Sequence, residues 1–164
     1  MLCYNIASSG HFWQDQPMPN TSPILANAEQ LLSQRGERLT DLRRQILNIV
    51  ADAPAPLSAY QIIDEMGIGA KRPAPPTVYR TLDFLMAQGL VHKVHSRNTF
   101  VACPMAAHPH AAELLICRTC GLTLEIAKPE SDPALTVEAR DLGFEPERRV
   151  IEVEGVCQKC RGAS

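Results

Sequence analysis

Residues 75–94 read PPTVYRTLDFLMAQGLVHKV, and this stretch decides the fold of the first half of the chain. Val78, Leu82 and Leu85 recur at the three-to-four-residue spacing of one helical face, which predicts a helix from about Thr77 to Gln88, ended by Gly89. Two short β-like runs follow, Leu90 to Val94 and Thr99 to Val101, with Ser96-Arg97-Asn98 between them as a hairpin turn. A helix running straight into a hairpin is the second half of a winged helix-turn-helix.

Upstream, the pattern supplies the remaining helices. Ile24, Leu25, Ala28, Leu31 and Leu32 mark one apolar face that ends near Arg35-Gly36. Thr40 is placed to cap a second helix through Leu42, Ile46, Leu47, Ile49 and Val50, which Pro54 and Pro56 stop. Ser58 caps a third, through Tyr60, Ile62, Ile63 and Met66, closed by Gly67 and Gly69. Residues 1–22 have no periodicity and carry Pro17, Pro19, Asn20, Thr21 and Ser22, so they read as a disordered leader. Cys3 and His11 fall in it, and Met18 offers a second start.

Downstream, the composition shifts. Pro104 to Ala112 is small, proline-containing and histidine-bearing, which reads as a hinge. Glu113 to Ile116 and Leu122 to Ile126 then read as strands, Asp132 to Leu142 as a helix closed by Gly143, and Val150 to Val153 as a last strand. The expected class is α+β: a winged-helix domain over 23–103, a hinge at 104–111 and a small second domain over 112–164.

That second domain carries two CxxC pairs, Cys117/Cys120 and Cys157/Cys160. A tight turn brings the two sulfurs of such a pair to one metal, and Gly121 supplies the conformational freedom the first turn wants. Two pairs make a tetrahedral four-cysteine site with no open position, hence a structural zinc. The 36 residues between Cys120 and Cys157 form one strand-helix-strand excursion that can return to its start. A domain of about 50 residues is marginal by itself, so the metal contributes folding free energy. The competing readings are two redox dithiols, which lack their usual βαβ context, and four unrelated buried cysteines.

Composition fits this picture. With 45% hydrophobic and 21% charged residues the 164-residue chain is an ordinary globular one. Its apolar runs, such as Leu114-Leu115-Ile116, are far short of the roughly 20 residues a membrane span needs. The N-terminus lacks a signal-peptide pattern, so the expected compartment is the cytoplasm, where cysteines serve metals more often than disulfides. The formal charge of -2 is uneven: residues 35–97 carry nine Lys/Arg against six Asp/Glu, residues 98–164 seven against ten. The first half is therefore the better nucleic-acid candidate.

The run Pro75 to Leu85, followed by Gly89-Leu90-Val91-His92-Lys93-Val94, resembles the recognition helix and wing of the ferric uptake regulator family, and within it the zinc uptake regulators. The likeness extends over most of Ile24 to Cys160. It implies a homodimer, with a winged helix on double-stranded operator DNA and a dimerisation domain holding the four-cysteine zinc. It also implies a regulatory zinc between the domains, whose ligands fall at His92, Cys103, His110 and Glu125. His108 competes with His110, which its distance from Cys117 favours. Two imidazoles, a thiolate and a carboxylate suit zinc, whereas an iron or manganese sensor is expected to use nitrogen and oxygen alone.

Helix geometry puts the N-terminal half of the second helix of the motif at the base edges. Thr77, Tyr79 and Arg80 lie there, and Arg80 is the expected base reader because a guanidinium bonds guanine O6 and N7 together. Tyr79 has the core as its alternative. Tyr60 matches a family DNA-contact position, while Lys71, Arg72 and Lys93 are expected phosphate contacts. The expected function is a non-enzymatic, zinc-responsive repressor of zinc-uptake genes with two Zn2+ per monomer and no membrane partner. The alternatives are an iron, manganese or peroxide sensor of the same family and, from another class, a zinc-storage or trafficking protein. A hydrolytic zinc enzyme is disfavoured, since no HExxH motif is present.

Overall fold

The computed structural model describes residues 21–67, 72–104, 113–126, 133–145 and 150–162. The expectations for Cys3, His11, Met18, Lys71, His108 and His110, and for the hinge beyond residue 104, lie outside them.

Four helices open the chain: α1 Thr21–Gln34, α2 Asp41–Asp52, α3 Ala59–Glu65 and α4 Pro75–Ala87. Their facing stripes meet in one core, where Leu32, Ile46, Leu47, Ile62, Leu82 and Leu85 are fully buried. α1 begins at Thr21, two residues inside the stretch assigned to the leader; Pro23 is tolerated there because a first-turn N–H has no helical partner anyway. The same reason extends α4 back to Pro75. At α3 the Ser58 hydroxyl accepts the Gln61 N–H and the Gln61 side chain accepts the Ser58 N–H, a reciprocal capping box. Thr40 stands at the N-cap of α2 but makes no side-chain capping bond.

Gly89, at φ +73°, ends α4 in the left-handed conformation that a side chain would disfavour. The wing follows: β1 Val91–Val94 pairs antiparallel with β2 Thr99–Ala102, joined through a 3₁₀ turn at His95–Arg97 and Asn98 at φ 51°. Leu57 and Phe100 exchange backbone hydrogen bonds of 3.0 and 2.7 Å, which fastens the loop before α3 to the wing.

The second unit is a three-stranded sheet in the order β4-β3-β5, from β3 Glu113–Cys117, β4 Thr123–Ile126 and β5 Ile151–Gly155. β3 pairs antiparallel with β4 and parallel with β5; α5 Pro133–Asp141 lies on the crossover. A short helix α6, Gln158–Arg161, which the sequence pattern did not signal, carries Cys160. The α+β class with a winged helix followed by a small cysteine-bearing domain is therefore the observed one. A second, smaller apolar cluster joins the two units: Val94 and Val101 of the wing pack with Leu114 and Ile116 of β3.

Candidate metal centres

Cys117 ends β3 and Cys120 follows in the turn after it, while Cys157 and Cys160 flank the start of α6. The sheet brings the two turns together because β5 runs parallel to β3, with Cys117 registered opposite Gly155. The four sulfurs lie within 4.8 Å of one another, Cys120 Sγ and Cys157 Sγ being 3.7 Å apart. A tetrahedral ion with bonds near 2.3 Å sets its sulfurs roughly 3.8 Å apart, so the donor set fits zinc. The backbone supports it. The Cys157 N–H donates to Cys117 Sγ at 3.3 Å, and amides of Cys157 and Cys120 hold the Cys117 thiol down to about 6. Hydrogen bonds from Cys157 and Cys120 push Cys160 up to about 12. Cys117 thus ionises readily while Cys160 resists a further negative charge beside it, which is how clustered thiols behave until a cation joins them.

The second centre is assembled from both units. β1 places His92 opposite Val101, Cys103 follows β2 with its N–H bonded to the Leu90 carbonyl at 2.9 Å, and β4 places Glu125 opposite Leu114. His92 Nε2 lies 3.2 Å from Glu125 Oε1, and Cys103 Sγ 4.0 Å from the same oxygen. The three ligand atoms lie within 4.8 Å of one another. Cys103 is 1% exposed, and the Glu125 side chain only 5%. A carboxylate and an imidazole withdrawn this far from water are costly unless they face a partner or a cation. Nitrogen, sulfur and oxygen converging on one point is a zinc-suited set that lacks one tetrahedral corner among the described residues. His110, expected at that corner, lies outside them.

The expected DNA-facing residues separate by exposure. Tyr60, at 64%, Thr77 and Arg80 stand exposed on α3 and α4. Tyr79 is partly buried against the helical core, so part of its area is spent on packing. Arg72 is exposed and pairs with Asp64 at 3.4 Å, and Lys93 places its Nζ 5.9 Å from the Phe100 ring centroid. Two residues that the sequence reasoning passed over, Glu152 and Glu154, reach from β5 to the wing tip. Gly121, beside the cysteine turn, has the Ala55 side chain of the winged-helix unit 3.7 Å from where its Cβ would stand.

The model of the ferric uptake regulator family matches residues 34–154. The chain belongs to the ferric uptake regulator family. Within the family it is 37% identical to the zinc uptake regulation protein of Escherichia coli (strain K12) over 141 residues, covering 85% of this chain and 82% of that protein. Its fold is similar to a zinc uptake regulator complexed with zinc and DNA, with a TM-score of 0.81 and 36% identity over 87% of this chain and 96% of that one. It is also similar to holo XcZur, with a TM-score of 0.77 and 42% identity over 87% and 99% of the two chains. No described helix is long and apolar enough to cross a membrane.

Proposed function

We propose that this family member is a zinc-responsive repressor, which binds operator DNA as a homodimer when zinc fills the site between its two units and so controls zinc-uptake genes. The observation that carries the reading is the convergence of His92 and Cys103, from the wing, with Glu125, from the C-terminal sheet, within 4.8 Å. Such a site reports the relative placement of the two units. It sits between a DNA-reading helix and the sheet, where a sensor has leverage on both.

Zinc held there would supply a redox-inert tie between the two units. His92 and Cys103 would hold it from the wing and Glu125 from the sheet, with His110 as the proposed fourth donor. Because only Gln88, Gly89 and Leu90 separate α4 from β1, holding His92 holds the recognition helix. In a dimer, this fixes the separation of the two recognition helices, which must match the half-site spacing of the duplex. Metal and DNA affinities are then reciprocally linked, by ~1–3 kcal/mol for coupling of ordinary size. Cys117, Cys120, Cys157 and Cys160 hold a second, structural zinc, giving two per monomer. Leu115 and Val153, neighbours in register and both exposed on the outer face of the sheet, support a partner protomer there. Arg80 and Thr77 are the proposed base-facing residues, with Tyr60 and part of Tyr79 beside them and Lys71, Arg72 and Lys93 toward phosphates. The chain acts in the cytoplasm and has no catalytic role.

The Cys103 thiol favours zinc over the iron or manganese reading, since those harder ions prefer nitrogen and oxygen. Titrating duplex binding with zinc, iron(II) and manganese(II) separates them. Zinc acting at the lowest free concentration is the expected result; iron or manganese acting first would replace this reading with a sensor of that ion, and binding of no duplex under any of them would favour storage.

A further inference from the structure

The seam between the units holds more than the metal cluster. At the wing tip, the first two amides of the His95–Arg97 turn point at β5, where both oxygens of one carboxylate receive them. The His95 N–H donates to Glu152 Oε1, and the Ser96 N–H donates to Glu152 Oε2 at 3.0 Å. Arg97 Nη2 lies 3.4 Å from Glu154 Oε1. The register sets Glu152 opposite Leu114 and Glu154 opposite Ile116, so both acids share the sheet face that carries Glu125 and the apolar contact with Val94.

The strand pattern is inverted relative to an ordinary half-buried strand. Val153, between the acids, points outward and is 51% exposed, while the charged positions turn toward the wing. A helical turn leaves its first amides without internal partners, and a carboxylate taking two of them forms a charge-assisted pair of bonds. Neither acid belongs to the His92 cluster.

We infer that Glu152 is a positioning residue, a metal-free pin that seats the wing tip on the C-terminal sheet and so pre-assembles the His92, Cys103 and Glu125 donors. The inference rests on the regulatory-site reading above. A donor set assembled only part of the time binds its ion more weakly, in proportion to the assembled fraction. The pin therefore raises zinc affinity at the site between the units and leaves the fully loaded state unchanged. Arg97 and Glu154, whose side chains are 32% and 53% exposed, add little.

The test compares the full-length wild-type chain with Glu152→Ala, Glu152→Gln and Arg97→Ala. Zinc affinity is read by competition with a chromophoric chelator, amide exchange is read at His95 and Ser96, and binding is measured to a duplex selected from a random pool by the zinc-loaded wild type. For Glu152→Ala, both amides should exchange about tenfold faster, and the removable zinc should bind about three- to tenfold more weakly. The midpoint of zinc-dependent duplex binding should move by the same factor, with the plateau affinity kept. Glu152→Gln, which retains a carbonyl acceptor, should shift less, and Arg97→Ala should scarcely shift. Unchanged exchange, or faster exchange with unchanged zinc affinity, overturns the inference, as does a loss of plateau affinity without a midpoint shift. If the wild type selects no duplex, the repressor reading falls, while the exchange and chelator measurements still decide whether the pin exists.

Discussion

The two cysteine-bearing sites are built in opposite ways. The four-cysteine cluster is closed within one small unit by two local CxxC turns, and its geometry depends only on β5 returning beside β3. The His92, Cys103 and Glu125 cluster takes its donors from two units, and exists only while the wing lies on the sheet. A site closed within a unit can hold that unit together but reports nothing about its neighbours. A site split across a seam adds little to either fold and is sensitive to how the two are placed. That difference separates the proposed staple from the proposed switch.

The largest effect expected from breaking the contrast is at the staple. Cys117→Ser removes one corner of the tetrahedron and should cost the C-terminal unit its folded state, read as loss of zinc, loss of the dimer and loss of its cooperative unfolding step. Cys103→Ser should do the reverse: a folded dimer with its structural zinc, no zinc dependence of duplex binding, and little change in melting temperature. Between them in stability terms lies Leu82→Ala in the helical core, expected to destabilise the winged helix by ~2–5 kcal/mol in chemical denaturation while leaving the four-cysteine zinc in place. Loss of that zinc in Leu82→Ala would show that the two units are not separately held.

Smaller effects test what the switch drives. Arg80→Ala should weaken duplex binding by ~1–3 kcal/mol and relax sequence preference at one position, whereas Lys93→Ala should weaken all sequences alike and flatten the salt dependence. The smallest concerns the pin. Burial works against the Glu152 charge, but hydrogen bonds from Ser96 and His95 outweigh it and hold the carboxyl below its ordinary value. A depressed folded pKa means the contribution is fully present above the unfolded glutamate value and is lost as pH falls through the folded one. The Ser96 amide resonance should therefore titrate with a midpoint below the usual glutamate range; a midpoint at or above that range breaks the contact.

What was legible in the sequence follows the same division. Local signals carried far: the periodicity of Val78, Leu82 and Leu85, the stop at Gly89 and the Ser58 cap all have their partners within a few residues. The CxxC pairs were equally plain, because a turn makes the two sulfurs neighbours whatever the rest of the chain does. His92, Cys103 and Glu125 show nothing distinctive one by one; they came as a set only through the family resemblance. Glu152 went unread because its partners at the wing tip are 56 and 57 residues away, and a lone glutamate in a strand looks solvated. Its signal was the acid-Val-acid order of β5, which tells which face is turned inward only once the register is known.

The division of labour between staple and switch is tested most directly by counting zinc per monomer before and after a mild chelator, with duplex binding followed in the same samples. Two zincs are predicted, of which one leaves, taking DNA binding with it, while the dimer stays folded. Both zincs leaving together with unfolding, or one leaving with DNA binding intact, would contradict the account.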